Sequence, residues 1–225
     1  VSSRRYVGKY ISTIIPNLHT KTRLKFDLPE SDLIVKNCDL IFTAVPHHTS
    51  HKIVPELIER GLRVIDLSAD FRLRTLEPYQ KYYGNHEHPE LLDRAVYGMP
   101  EIYKEKIKKA SIVAVPGCQA ASAIYALAPL IKENLIDTNK IIVDSKTGSS
   151  GSGASPTEAS HHPIRANSIR PYKLSGHRHT AEIEQELSFF SKRTVSVGFS
   201  AHAVNLTRGI LATCHTFPNK PDQLT

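Results

Sequence analysis

The stretch that most constrains the fold runs from residue 111 to residue 133. Ser111-Ile112-Val113-Ala114-Val115 is a short apolar run of the kind that forms a buried strand. Pro116-Gly117 breaks it. Behind Cys118 an Ala-rich segment to Glu133 sets Ala120, Ile124, Leu127 and Ile131 at helical spacing. The sequence therefore predicts strand, turn and helix, with Cys118 at or beside the helix N-terminus. Free backbone N–H groups and the helix dipole favour a thiolate there. The same N–H groups would hold the oxyanion formed when sulfur attacks a carbonyl. A buried structural cysteine is the alternative, because free cysteine is among the most buried residue types.

The flanking sequence extends this unit. Residues 38–45 read as a strand ended by Pro46, and residues 47–60 as a helix with Ile53, Leu57 and Ile58 on its apolar face and Gly61 closing it. Residues 63–68 form the next strand. Strand, helix and strand at this spacing predict a βαβ unit and a parallel sheet. Residues 10–30 lack a period and read mostly as loop, and residues 79–89 as a polar, Tyr-rich loop. Beyond the cysteine helix, strands are expected at 140–145, 195–204 and 210–217, with an amphipathic helix burying Ile183, Leu187 and Phe190. The second half is thus expected to be α+β.

Charge narrows the partners. The 225 residues carry a formal net charge of +7, which calls for an anionic partner. The basic residues are dispersed and aromatic content is 7%, which argues against nucleic acid. Cys38, Cys118 and Cys214 are scattered with no CxxC pair, so a disulfide framework is not expected and a reducing cytoplasm is. No apolar run approaches a membrane span, and no signal-peptide pattern opens the chain. The first residue is not Met, and residues are expected upstream. His47, His48 and His51 lack a completing carboxylate or cysteine nearby, and His86 and His88, with the HxH spacing of some metal sites, sit in the polar, Tyr-rich loop, so no metal site is assigned.

Several clusters suit anions. Residues 147–155 form a Gly/Ser loop able to cradle phosphate through backbone N–H groups and hydroxyls, although it lacks the Gly-Lys-Ser/Thr ending of a P-loop. A flexible linker is the other reading of that composition. Arg165, Arg170 and Lys173 follow closely. His177 and His179, just before the amphipathic helix, offer an acid/base partner for a cysteine nucleophile. Near the start, Ser3, Arg4 and Arg5 place hydroxyl and guanidinium groups where a dinucleotide fold accommodates a 2′-phosphate. A solvated basic loop would have the same composition.

Taken together, SSRRYVGK, the PNL segment at 16–18, AVPH at 44–47, VIDLSADFRL at 64–73, YGMPE at 97–101, PGCQA and GHRHTAEIEQE resemble the N-acetyl-γ-glutamyl-phosphate reductase family. The segment ASHHP at 159–163, with Arg165, Ser168, Arg170, Tyr172 and Lys173, is most similar to the branch acting on 2-aminoadipyl or glutamyl phosphate bound to an acidic amino-group carrier protein, in lysine and arginine synthesis. The resemblance implies an α/β fold: a Rossmann-type parallel sheet over 1–117, then an α+β catalytic domain of the glyceraldehyde-3-phosphate dehydrogenase-like type over 118–225. It also implies a homo-oligomer, usually a tetramer, and a chain truncated at both ends, lacking its first strand with the glycine-rich loop and its C-terminal helix. The implied activity is NADPH-dependent reduction of an acyl phosphate to a semialdehyde through a Cys118 thioester. His179 or His177 would be the acid/base, with Ser3, Arg4 and Arg5 on NADP(H) and Arg72, Ser149, Arg165 and Arg170 on substrate. A conventional reductase of free N-acetyl-γ-glutamyl phosphate, a cysteine hydrolase using Cys118 and His179, and a non-catalytic anion-binding module are the alternatives.

Overall fold

The protein is described by a computed structural model over residues 3, 5–28, 30–153 and 155–220. Arg4 lies outside the described residues. Two four-stranded sheets carry the fold. The first comprises β1 (Leu40–Thr43), β2 (Arg63–Asp66), β3 (Ala95–Tyr97) and β4 (Ile112–Ala114), in the order β1-β2-β4-β3. Every pairing in it is parallel. Helices α1 (Ile11–Ile14), α2 (Ser31–Asn37), α3 (Ser50–Glu59), α4 (Leu76–Tyr83) and α5 (Pro100–Lys109) belong to this half. All three residues of β4 are buried, as the apolar run requires. Val54 and Leu57 of α3 pack with Val64, Ile112 and Ala114 into one core.

α6 (Cys118–Lys132) leads from β4 into the second half. There β5 (Ile141–Thr147), β6 (Arg170–Lys173), β7 (Val197–Ala203) and β8 (Ile210–His215) form a mixed sheet in the order β6-β7-β5-β8. β5 and β7 run parallel, with β8 and β6 antiparallel on the outside. The short α7 (His162–Arg165) and α8 (His179–Ser191) complete the helices. Ala120, Ile124 and Leu127 of α6 and Ile183 and Leu187 of α8 pack with Val143 and Phe199 in a second core. Each fully buried aliphatic side chain there contributes about 1.5–3 kcal/mol.

Two expectations need correction. α3 starts at Ser50, not residue 47. The Asp70 carboxylate accepts the N–H groups of His48 (3.0 Å) and His51 (3.2 Å), and His48 sits in the left-handed region at φ 64°. A polar loop does not span 79–89. Tyr79 and Tyr83, one helical turn apart in α4, stack at 5.2 Å and are buried. α2 and α5 bury little and so have a weak apolar period: nothing in α2 is buried, and only Tyr103 in α5.

Candidate active site

Cys118 is the first residue of α6 and is exposed. The turn that presents it is held at several points. Val115 N–H donates to Asp66 O at 2.8 Å, and the Gly117 carbonyl accepts from Ala121 N–H at 2.8 Å. Gly117 has ordinary extended backbone angles (φ −61°, ψ 136°), so conformation does not demand a glycine. Proximity does. A β-carbon there would lie 2.6 Å from His179 Cδ2 and 2.7 Å from Glu182 Oε1, and closer still to His179 Nε2. The imidazole of α8 thus rests against the backbone that precedes the thiol.

His177 and His179 are both buried. His177 Nδ1 accepts the His179 N–H at 3.1 Å, so in the neutral ring Nε2 carries the proton; it lies 3.4 Å from Tyr172 OH. Burial, with the nearby charges of His179 and Arg178, pushes His177 down to about 4. Burial, Arg72 and Arg178 push His179 down to about 3. Both rings are neutral at pH 7, the form that accepts a proton. Next to Cys118, Gln119 donates to Tyr172 OH at 2.5 Å, tying α6 to β6.

Glu182 was not anticipated from the sequence. It is 1% exposed. Its Oε2 accepts Gly117 N–H and Tyr97 OH, each at 2.8 Å, while Oε1 lies 3.5 Å from Arg72 and 3.9 Å from His179 Nε2. The available signal was its place three residues after His179, beside the apolar stripe of Ile183 and Leu187. Arg72 completes the brace, donating from Nε to Val115 O (2.7 Å) and from a terminal nitrogen to Leu67 O (2.9 Å).

Cys118, His177 and His179 open onto one cleft of about 1000 Å³ between the sheets. His47, Leu67 and Val115 bring the C-terminal ends of β1, β2 and β4 to it, and Thr147, Gly151 and Ser152 form part of the far wall. Arg72, Lys81, Arg165, Arg170, Lys173 and Arg178 line it, and among the described residues no Asp or Glu does. Arg165 donates to Thr147 O at 2.9 Å. Ser149 lies beside the lining, not in it, its N–H bonded to Leu206 O at 2.8 Å. Ser3 and Arg5 are also outside the lining: Ser3 N–H donates to Asp27 O at 2.9 Å, and the Arg5 guanidinium lies 5.2 Å from the Tyr6 ring centre.

Among the described residues no group of three His, Cys, Asp or Glu side chains is arranged to hold a metal ion. His86 is instead a packing residue. Its Nε2 bonds to Asp70 O and its Nδ1 accepts His88 N–H, each at 3.0 Å.

The chain is 49% identical over 218 residues to a LysW-L-2-aminoadipate/LysW-L-glutamate phosphate reductase of Saccharolobus solfataricus, covering 96% of this chain and 62% of the relative. It is 46% identical over 221 residues to an N-acetyl-gamma-glutamyl-phosphate reductase of Methanocella arvoryzae, covering 98% and 64% respectively. It thus spans a little under two thirds of the length of these relatives, whose names agree with the resemblance read from the motifs. A crystal structure of aspartate semialdehyde dehydrogenase II from Vibrio cholerae superposes with a TM-score of 0.68 at 15% identity, covering 97% of this chain and 65% of that one, which establishes the fold. The semialdehyde dehydrogenase NAD binding domain matches residues 1–110 and the semialdehyde dehydrogenase dimerisation domain residues 118–224. With two models of one family accounting between them for nearly the whole sequence, the chain belongs to the semialdehyde dehydrogenase family.

Proposed function

We propose that the protein is an NADPH-dependent reductase that converts 2-aminoadipyl or glutamyl phosphate, borne on an acidic carrier protein, to the semialdehyde. The carrying observation is an exposed Cys118 at the head of a helix, facing a cleft with six cationic side chains and no carboxylate in its described lining. The chemistry of this wall matches an acyl phosphate. The relatives' names supply the carrier and the acyl group.

Residues 1–117 form the cofactor unit and residues 118–225 the catalytic unit in this reading. The C-terminal ends of three parallel strands at the cleft are where an open α/β sheet takes a dinucleotide. His47, Leu67 and Val115 would hold its reactive end, and Ser3, Arg4 and Arg5 would select a 2′-phosphate. When bound, the dinucleotide supplies hydride to the acyl carbon. The chain's own residues do the rest. Cys118 sulfur bonds to the acyl carbon, the carbon–oxygen bond to phosphate breaks, and its electron pair departs with the phosphate toward the arginines. His179 takes the thiol proton and returns it to sulfur when the aldehyde leaves, with His177 fixing the N–H of the His179 backbone. Arg165 and Arg170 receive the anionic groups of the substrate. Arg72, committed to Val115, Leu67 and Glu182, acts by holding the turn, and Ser149 through its loop.

Self-association has a surface as well. The face of the second sheet opposite α6 and α8 exposes Ile142 (53%) and Leu211 (65%), which a second copy would cover in a tetramer. No helix among the described residues is long and apolar enough to cross a membrane.

Two measurements test the reading. Cys118→Ser is expected to abolish phosphate-dependent aldehyde oxidation, while Cys38→Ser and Cys214→Ser leave it intact; normal turnover in the first removes the nucleophile. The second is kcat/KM for carrier-linked and free N-acetylated substrate across a salt series. Charge-guided docking should make only the linked reaction fall steeply, since screening sets in at roughly 8 Å at physiological salt. Equal efficiency and equal salt response would assign the protein to reductases of the free substrate, like the Methanocella relative.

A further inference from the structure

Arg178 stands apart among the cations of the cleft. It lies between the two histidines in sequence, is exposed, and lines the cavity. Among the described residues no carboxylate lies within ion-pair distance of it; its recorded contact is the Tyr83 ring of α4, 6.0 Å from the guanidinium carbon. Arg72 and Arg165, by contrast, are already bonded to backbone carbonyls. Lys81, also on α4 and also without a carboxylate partner among the described residues, reaches the same cleft from the first half.

Position separates Arg178 from Arg170 and Lys173. Arg170 and Lys173 stand on β6, whereas Arg178 is flanked in sequence by the two buried imidazoles, and its charge lowers His47, His177 and His179 alike. Its exposed guanidinium is therefore placed at the histidine end of the cleft.

We propose that Arg178, with Lys81 opposite, anchors the phosphoryl group, and that the dianion it takes is what allows His179 to hold a proton. This rests on the acyl-phosphate reading above. The groups facing His179 are Glu182 from α8, His177 and Arg178 just before it, Arg72 from the loop after β2, His47 from the turn after β1, and Cys118 from α6. Burial and two guanidinium charges keep the ring neutral. A phosphate dianion against Arg178 cancels one of those charges; Arg72 stays paired with Glu182. The thiol proton then passes to His179 only when the leaving group is in place. As the carbon–oxygen bond breaks, the electron pair leaves with the phosphate beside the same guanidinium. Substrate arrival and nucleophile activation become one electrostatic event.

The test uses the intact protein with isotope-labelled histidine and inorganic phosphate as probe. The titration of the His177 and His179 rings is followed by NMR with and without saturating phosphate. Over the range in which these rings titrate, inorganic phosphate is a monoanion, and even that single charge is expected to raise the His179 midpoint by about half a pH unit or more. Arg178→Met is expected to remove that shift and weaken phosphate binding roughly tenfold, Arg178→Lys to restore part of both, and Arg193→Met, outside the cleft lining, to leave the shift in place. An Arg178→Met protein that binds phosphate and titrates like the parent overturns the proposal, as does a parent whose His179 ignores saturating phosphate. Native chemical shifts away from the cleft certify the fold of each variant. The same titration in Cys118→Ser should show the full phosphate effect, so loss of the reductase reading through that variant's activity is scored separately from loss of the anchor.

Discussion

Gly117→Ala is the smallest change that probes the site. The backbone at Gly117 accepts any L-residue, so the whole effect is steric. The added methyl would sit 2.6 Å from His179 Cδ2 and 2.7 Å from Glu182 Oε1, well inside van der Waals contact. Neither neighbour has room to retreat. The His179 ring is 5% exposed and packs edge-on against His177 at 4.7 Å. Glu182 is held by Tyr97, Arg72 and the Gly117 N–H itself. Forcing one methyl into such packing costs about 1–3 kcal/mol. For a chain of this size that lowers Tm by roughly 2–4 °C per kcal/mol. The ring must also move by something near an ångström relative to Cys118, and a misplacement of that order costs about 100-fold in rate. Differential scanning fluorimetry and kcat/KM for aldehyde oxidation are the assays. A variant melting within about 1 °C of the parent and turning over within about twofold would refute the claim that His179 packs on the turn before Cys118.

Arg72→Met removes the cation that joins Val115, Leu67 and Glu182 and leaves a carboxylate buried without its partner, so urea unfolding should report a loss of about 3–5 kcal/mol; a loss near zero would show the brace to be idle. Stability should also depend on acid. His177 and His179 titrate near 4 and 3 when folded and near 6.5 when unfolded, so the unfolded chain binds more protons between those values. Their contribution is complete above pH 6.5 and is lost as pH falls toward 4, at up to about 1.4 kcal/mol per pH unit for each ring. A stability profile unchanged by His177→Asn and His179→Asn across that window would contradict the burial argument.

The parts legible in the sequence were those whose signal is local. The run 112–114 is buried on both faces, so it is apolar throughout, and Pro116-Gly117 marks its end; Cys118 at the helix start followed directly. β7 alternates buried and outward residues, and both β7 and β8 were found within two residues of their ends. What escaped depends on partners distant in sequence. α4 is held by Tyr79 and Tyr83, residues that read as loop-forming in a polar stretch until Ala69, Leu73 and Ala181 are packed against them. Glu182 looks like a surface acid on an amphipathic helix until Tyr97, Gly117 and Arg72 converge on it from 65 to 110 positions away. Arg72 had been expected at the substrate, and it does line the cleft, but its bonds go to protein.

The bonds between α8 and the first half also have a mechanical consequence. Gln185 spans Arg72 O (3.1 Å) and Arg74 N–H (2.8 Å), Arg74 pairs with Glu186 at 2.8 Å, and Glu182 grips Gly117. The helix that carries His179 is bolted to the strand ends that carry the thiol, although the two belong to different halves of the fold. The opposite wall is fastened separately: Gly148, Ser149 and Ser150 donate backbone N–H groups to residues 206–209, Arg165 donates to Thr147 O, and β6 meets α6 through Tyr172 and Gln119. Cysteine and imidazole therefore ride on a single braced unit, so that any shift of one wall against the other carries the two together.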